Sequence, residues 1–206
     1  MSSSGPPRLI LASASPRRQA LLEQLGIVPD RLVPAEIDET QIAFESPTKL
    51  VIRLAETKAG CIAKQFPGSL ILAADTVVAC GRRVLAKAAD EVEARRCLSL
   101  LSGRRHRVYS GLCVIDEDGR AHTKGVVTSV TVKRLSREEL DVYIASDEWR
   151  GKAGAYAIQG LFSAYVRRIN GSYSNVVGLP LCETVGLLRG LGYIPGKVVK
   201  NIPQPF

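Results

Sequence analysis

An aspartate interrupts the longest apolar run of the chain: Leu70-Ile71-Leu72-Ala73-Ala74 precede Asp75, and Thr76-Val77-Val78-Ala79 follow it. A carboxylate inside a buried strand is strongly unfavourable unless it is paired, metal-bound or protonated. Ligand sites gather at strand ends in α/β sheets. Asp75 is therefore a candidate catalytic group, the plainer alternative being a structural Asp that accepts from backbone N–H groups. A second signal is Ser13-Ala14-Ser15-Pro16-Arg17-Arg18. Ser15 suits an N-cap and Pro16 the first helical position. Arg17 and Arg18 then fall in a first turn that already carries partial positive charge, where cations are unfavourable unless an anion joins them. With Ser13 and the free backbone N–H groups they form a candidate phosphate cradle. Arg18 is expected to point into solvent, and one arginine of the pair to serve the anion.

Lys58 shares helical spacing with Val51, Leu54 and Ile62. A lysine on that apolar stripe either snorkels past the core edge or enters a cleft. Glu39, in Ile37-Asp38-Glu39-Thr40, and Lys87, in Leu85-Ala86-Lys87-Ala88, read alone as solvated loop residues. Gln159, in Ala157-Ile158-Gln159-Gly160, reads as a buried amide that needs a backbone or ligand partner.

The elements that must position these residues alternate between apolar strands and helices, which predicts an α/β or α+β fold. A buried strand opens at Leu9, and a helix from Pro16 carries Leu21, Leu22 and Leu25 to a stop at Gly26. A second helix starts at Ser46-Pro47. The Asp75 strand turns back at Gly81-Arg82-Arg83. Asp90 with Glu93, and Ser136 with Glu139, have capping-box spacing. Val108–Ile115 and Val126–Val132 pair across a turn at Asp118-Gly119. Residues 149–180 read as glycine-rich and irregular, and a last helix begins near Pro180.

The chain has 206 residues, 46% hydrophobic and 23% charged, which excludes a disordered or fibrous chain. No apolar run approaches the ~20 residues of a membrane helix. Residues 1–7 carry no charged side chain and read as a flexible tail, not a secretory signal. Residues 8–206 read as one domain. A net charge of +8 implies an anionic partner. Arg95, Arg96, Arg104, Arg105, His106 and Arg107 read as a solvated basic face, because no aromatic interleaves them to make a stacking platform. The five scattered cysteines read as reduced core cysteines of a cytoplasmic protein.

Six motifs carry a resemblance. They are Leu11-Ala12-Ser13-Ala14-Ser15-Pro16-Arg17-Arg18, Asp38-Glu39, Arg53-Leu54-Ala55-Glu56-Thr57-Lys58-Ala59, Ala74-Asp75-Thr76-Val77-Val78, Lys152 through Gly160, and Asn170 through Leu181. In this order they resemble the Maf family of nucleotide pyrophosphatases, from about Arg8 to Tyr193. The resemblance implies a two-lobed α/β fold like that of inosine triphosphatases: a mixed twisted sheet, flanking helices and a central cleft. It implies hydrolysis of a nucleoside triphosphate to monophosphate and pyrophosphate with a divalent metal, Mg²⁺ or Mn²⁺. The Ile158-Gln159-Gly160 form looks like the branch acting on dTTP and UTP.

Residue by residue, the resemblance places the general base on Asp75 and phosphate contacts on Ser13, Arg17, Lys58 and Lys87. It places an acidic group on Glu39, the metal on Asp75 and Glu39, and base choice on Arg17, Thr76 and Gln159. The chain departs from the family at Lys87-Ala88, where Lys-Pro is usual, which should loosen the loop holding Lys87. Leu161-Phe162-Ser163 is also bulkier than the usual small residues. A homodimer is compatible with this reading, and neither a membrane nor a nucleic-acid partner is expected. Two other functions are alternatives: a nucleotide-binding regulator linked to cell division, which would use the same cleft without turnover, and a basic nucleic-acid-binding protein, which would use the cluster from Arg95 to Arg107.

Overall fold

A computed structural model describes residues 7–194. The expected tail lies outside the described residues except for Pro7. The chain runs β1 (Leu9–Leu11), α1 (Pro16–Glu23), β2 (Arg31–Leu32), α2 (Pro47–Ala63), β3 (Leu70–Cys80), β4 (Arg83–Leu85), α3 (Glu91–Leu101), β5 (Arg105–Ile115), β6 (Ala121–Val132), α4 (Arg137–Ala145), β7 (Val166–Asn170), α5 (Tyr173–Val177) and α6 (Leu181–Gly190). The strands form one mixed sheet in the order β2-β1-β3-β5-β6-β7, with β4 also on β3. β1 is parallel to β2 and β3, and every other pairing is antiparallel. The expected mixed sheet with flanking helices is the observed architecture.

The pairing of β3 explains where a site can form. One edge pairs with β5 from Ile71 through Ala79. The other edge pairs with β1 at Leu70, Ile71 and Leu72, and with β4 at Val78, Ala79 and Cys80. Residues 73–77 of that edge have no strand neighbour, and Asp75 lies at the centre of the gap.

Three apolar clusters surround the sheet. α1 and α6 pack Leu21, Leu22 and Leu188 against Leu9, Leu72 and Leu112 on one face. α2 packs Ala55, Ala59 and Ile62 against Ile10, Ile71 and Cys113 on the other. Past the gap, α3 and α4 pack Leu98, Tyr143 and Ile144 against Val78, Val108 and Val130. The seat of α2 is unusually close because Gly111 and Gly125 sit opposite each other on β5 and β6. A Cβ on Gly111 would lie 2.0 Å from the Val51 carbonyl oxygen. Gly111 is also the register partner of Asp75, so its missing side chain lets α2 approach the aspartate.

Local signals resolve in instructive ways. Ser46 caps α2 by accepting from Lys49 N, and Ser136 with Glu139 forms a complete capping box. Asp90 accepts from Glu93 N, but the Glu93 carboxylate returns to Ala89 N, one residue before the cap. Ser15 precedes α1, yet its hydroxyl makes no cap bond; its own N–H donates to Ser13 Oγ. Residues 149–180 contain β7, α5 and a 3₁₀ turn at Leu161–Tyr165 that periodicity missed, because each is five residues long. Phe162 of that turn is fully buried among Tyr143, Tyr156 and Tyr165. Its bulk fills the core and does not crowd the cleft. Among the cysteines, Cys97 and Cys113 are buried, Cys61 and Cys80 are half-buried and Cys182 is exposed, so only two are true core residues.

His106 corrects the expected basic face. It is 1% exposed and faces inward, where Nε2 shares a 2.8 Å hydrogen bond with the Tyr156 hydroxyl and Nδ1 has no partner. Burial pushes its pKa down to about 4 from 6.5. A depressed folded-state pKa stabilises the fold above the unfolded value and loses that contribution as pH falls toward the folded one. At pH 4.5 the loss should be about 2–3 kcal/mol relative to pH 7. Urea unfolding at both pH values, with wild type and His106→Gln, checks this. The variant should lose less stability on acidification, and an equal loss in both would assign acid sensitivity to other groups.

Candidate active site

The cleft at the β3 gap encloses about 790 Å³, within the usual range of small-molecule sites. Ser13, Arg17, Glu39, Lys58, Asp75, Thr76, Lys87 and Gln159 all line it. Sequence positions from the first strand to the glycine-rich segment thus converge on one opening.

Asp75 and Thr76 are consecutive strand residues and project to opposite faces. Asp75 meets α2: Lys58 Nζ donates to its Oδ1 at 2.6 Å, and both side chains are about one-tenth exposed. The same ammonium lies 2.5 Å from Glu39 Oε1, while Lys87 Nζ is 3.7 Å from Glu39 Oε2. Lys58 therefore enters the cleft, and its place on the apolar stripe buries it there. Burial pushes the Glu39 pKa up, but the hydrogen bond and charge of Lys58 and the charge of Lys87 outweigh it and hold the carboxyl below its ordinary range.

The loop carrying Glu39 has no regular structure and is tied to α2. Arg53 donates to both oxygens of Glu45, at 2.7 and 2.8 Å, and to the Thr40 carbonyl at 3.1 Å. Because α2 also holds Lys58, one helix sets both ends of the Glu39–Lys58 contact. Arg53 stands in a quoted motif, but spacing alone gave no reason to choose it.

On the other face, Arg18 corrects the expectation that it points into solvent. Nε donates to the Gly178 carbonyl at 2.8 Å, Nη1 to Ser13 Oγ at 3.2 Å and Nη2 to Thr76 Oγ1 at 3.5 Å. Thr76 Oγ1 also shares a 2.9 Å bond with Ser110 Oγ. Burial lowers the Arg18 pKa, partly offset by the charge of Asp75. Arg17 is half-buried at the cleft wall, and its guanidinium makes no hydrogen bond among the described residues. Adjacent helical positions project about 100° apart, so a single sequence could not choose which arginine turns inward. Here Arg18 is structural glue and Arg17 keeps its donors open.

Two further placements differ from expectation, and one lining residue had none. Lys87 does not lie on a loosened loop, because its backbone bridges to Ala153 and Ala88 is buried beside it. Gln159 is exposed on the rim, not buried, and its amide makes no hydrogen bond among the described residues. Lys152, singled out by no sequence argument, also lines the cleft. Burial lowers its pKa, and the charge of Arg17 lowers it further.

The donor chemistry can be tested against a divalent ion. Among the described residues no group of three or more His, Cys, Asp or Glu could hold one. Two carboxylates, Glu39 and Asp75, do converge on one point, the Lys58 ammonium. Two hard oxygen groups fit an ion such as Mg²⁺, which uses one or two carboxylates and takes other oxygens from phosphates and water.

Residues 8–191 match the family described as Maf-like protein. A dTTP/UTP pyrophosphatase of Paramagnetospirillum magneticum is 59% identical over 187 residues, covering 91% of this chain and 98% of that protein. One from Caulobacter vibrioides is 55% identical over 189 residues, covering 92% and 98%. Among solved structures, a HAM1 protein from Coxiella burnetii is similar at a TM-score of 0.46 and 20% identity, over 64% of this chain and 75% of that one. With the family match spanning nearly the whole described chain and more than half of all residues shared with full-length relatives, this protein belongs to the Maf family.

Proposed function

We propose that this protein hydrolyses dTTP and UTP to the monophosphate and pyrophosphate. The observation that supports the reading best is the gap in β3. It exposes one buried carboxylate, Asp75, among Arg17, Lys58, Lys87 and Lys152 in a single cleft. A triphosphate is the anion such a cation set suits, and relatives of more than 50% identity carry the dTTP/UTP pyrophosphatase name.

Phosphoryl-type transfer depends mostly on positioning and electrostatics. Arg17, with unengaged donors at the helix start, and Lys87, on the open side of Glu39, would meet phosphate oxygens. Ser13 would sit beside Arg17 at the end of β1. Lys58 engages Oδ1 of Asp75, which leaves Oδ2 to orient a water and take its proton. Glu39 and Asp75 would hold Mg²⁺ or Mn²⁺ together with the substrate, and such an ion supplies further neutralisation of phosphate charge. Thr76, held by Arg18 and Ser110, would shape the floor beneath the nucleoside. Gln159 on the rim would offer the pyrimidine both a donor and an acceptor.

In this reading the chain is one domain of two lobes, α1, α2 and α6 on one side of the cleft and α3 and α4 on the other. Free cysteines and the absence, among the described residues, of a helix able to cross a membrane are compatible with a cytoplasmic enzyme.

The test is product analysis in ¹⁸O-labelled water with dTTP. Attack at the α-phosphorus should place the label in dTMP, with unlabelled pyrophosphate as co-product. Orthophosphate and dTDP as first products would put the cleavage at the other anhydride and overturn the reading. Loss of turnover with a chelator, restored by Mg²⁺ or Mn²⁺, is expected alongside.

A further inference from the structure

Gln159 sits on the rim with an exposed side chain and no hydrogen-bond partner among the described residues. Its side-chain contacts therefore do not fix where the amide points. The backbone around it must do so, and that backbone is braced on one side by α4 and on the other by the turn that follows α4. On the upstream side, Ala157 N donates to the Tyr143 hydroxyl, from α4, at 2.9 Å. On the downstream side, Leu161 N donates to both carboxylate oxygens of Glu148, at 2.9 and 3.1 Å. Glu148 lies in the turn after α4, one residue past Asp147, which adopts φ +56°. The carboxylate could not come this close past a side chain at position 160: a Cβ there would lie 2.1 Å from Glu148 Oε2 and 2.6 Å from Oε1. Gly160 has an ordinary negative φ of −106°, so the position needs glycine for space and not for its dihedral. Glu148 also caps the 3₁₀ turn that begins at Leu161, and a charged acceptor makes that bond stronger than a neutral one would be.

We propose that Glu148 is a positioning residue for base selection. Acting across Gly160, it holds the backbone that presents the Gln159 amide to the nucleotide base. The inference rests on the reading that Gln159 meets the base. It goes beyond it by placing the source of selectivity outside the cleft, in a carboxylate that touches neither nucleotide nor phosphate. Tyr143 is buried and integral to the core, whereas Glu148 is partly exposed and makes no ion pair among the described residues. Its carboxylate is thus free to serve this one contact.

The experiment compares kcat/KM for dTTP and for GTP in wild type, Glu148→Ala, Glu148→Gln, Gly160→Ala, Gln159→Ala and the Glu148→Ala/Gln159→Ala double variant. Small displacements of a recognition group have large kinetic effects, so Glu148→Ala should lower the dTTP-over-GTP ratio by about 10-fold. Most of that should appear as a raised KM for dTTP with kcat nearly kept. Glu148→Gln keeps one acceptor oxygen and should restore most of the ratio. Gly160→Ala forces the carboxylate away and should reproduce the loss by a separate route. In the Gln159→Ala background, Glu148→Ala should change the ratio no further.

An equal fall on both nucleotides, with the ratio kept, would make Glu148 merely structural and overturn the proposal. Should Glu148→Ala fail to fold, Glu148→Gln and Gly160→Ala carry the same comparison, and a wild-type ratio in Gly160→Ala overturns it as well. If Gln159→Ala itself leaves the ratio unchanged, the base-reading role of Gln159 falls. If Gln159→Ala collapses the ratio and Glu148→Ala does not, only the positioning role falls.

Discussion

Asp75→Asn is expected to lower kcat for dTTP by about 10²- to 10⁴-fold, the range for loss of a positioned general base. Asparagine keeps the shape of the side chain, and its carbonyl can still accept from Lys58 Nζ, now 2.6 Å from Oδ1. What it cannot do is take a proton or serve as a strong metal ligand. The phosphate contacts proposed for Arg17 and Lys87 are untouched by the change, so kcat should fall far more than KM rises. Initial rates of pyrophosphate release give kcat and KM, and far-ultraviolet circular dichroism with thermal melting shows that the variant is folded. Removing a charge from a buried position opposite Gly111 leaves the register of β3 intact, so the fold should persist. Turnover within a few-fold of wild type, in a folded variant, would remove Asp75 from the chemistry and leave it a structural partner of Lys58.

The aspartate was legible because a lone charge in an apolar strand has few stable explanations. Lys58 was half legible: periodicity put it on the buried stripe, but the choice between snorkelling and a cleft depended on what faced it. That partner, Asp75, lies 17 residues away on another element, and the close approach required Gly111 at a third. Spacing within one segment carries no information about such a meeting. The same limit hid Arg18. Its partners are Ser13, Thr76 and the Gly178 carbonyl, so its inward turn is decided by residues up to 160 positions distant. Strands and helices longer than about eight residues were readable from their periods, and their boundaries moved by a few positions. β7, α5 and the 3₁₀ turn were not, since five residues span barely one period and a half of helix. Gln159 was misplaced for a different reason. Apolar neighbours suggested burial, and Ala155 through Ile158 are indeed buried, but the chain turns at 158–160 and leaves the amide on the rim. The resemblance assigned roles that no local argument could, including those of Glu39 and Lys87. The structure then brought both within reach of Lys58 or of each other.

Lys58→Met should destabilise the protein at pH 7 by about 3 kcal/mol, the lower end for breaking a buried ion pair by removing one partner. The lysine holds two carboxylates at once, Asp75 at 2.6 Å and Glu39 at 2.5 Å. Without the ammonium, two like charges face each other across the gap in β3. Methionine fills a similar volume on the apolar stripe of α2, so cavity formation contributes little, and the loss reports charge. Glu39 is nearly half exposed, so solvent screens its share and most of the effect belongs to the buried Asp75 contact.

The pH dependence has a definite sign. In the wild type Glu39 is held below its ordinary range, net of a burial effect that pushes the other way. A depressed carboxyl contributes stability above its unfolded pKa and loses it as pH falls through the folded one. Lys58→Met removes the main cause of that depression. The gap in stability between wild type and variant should therefore be widest near pH 7 and should narrow as pH drops below the carboxylate range. Urea unfolding of both proteins at several pH values measures it. A double variant, Lys58→Met with Asp75→Asn, removes the buried carboxylate as well as its partner. It should recover a large part of the lost stability, because the coupled groups no longer include an uncompensated charge. Equal stability of Lys58→Met and wild type at pH 7, or a deficit that does not shrink on acidification, would show that the lysine is not what holds the two carboxylates together. The ammonium would then be available chiefly for phosphate, and Lys58→Met should still fail in turnover while folding normally.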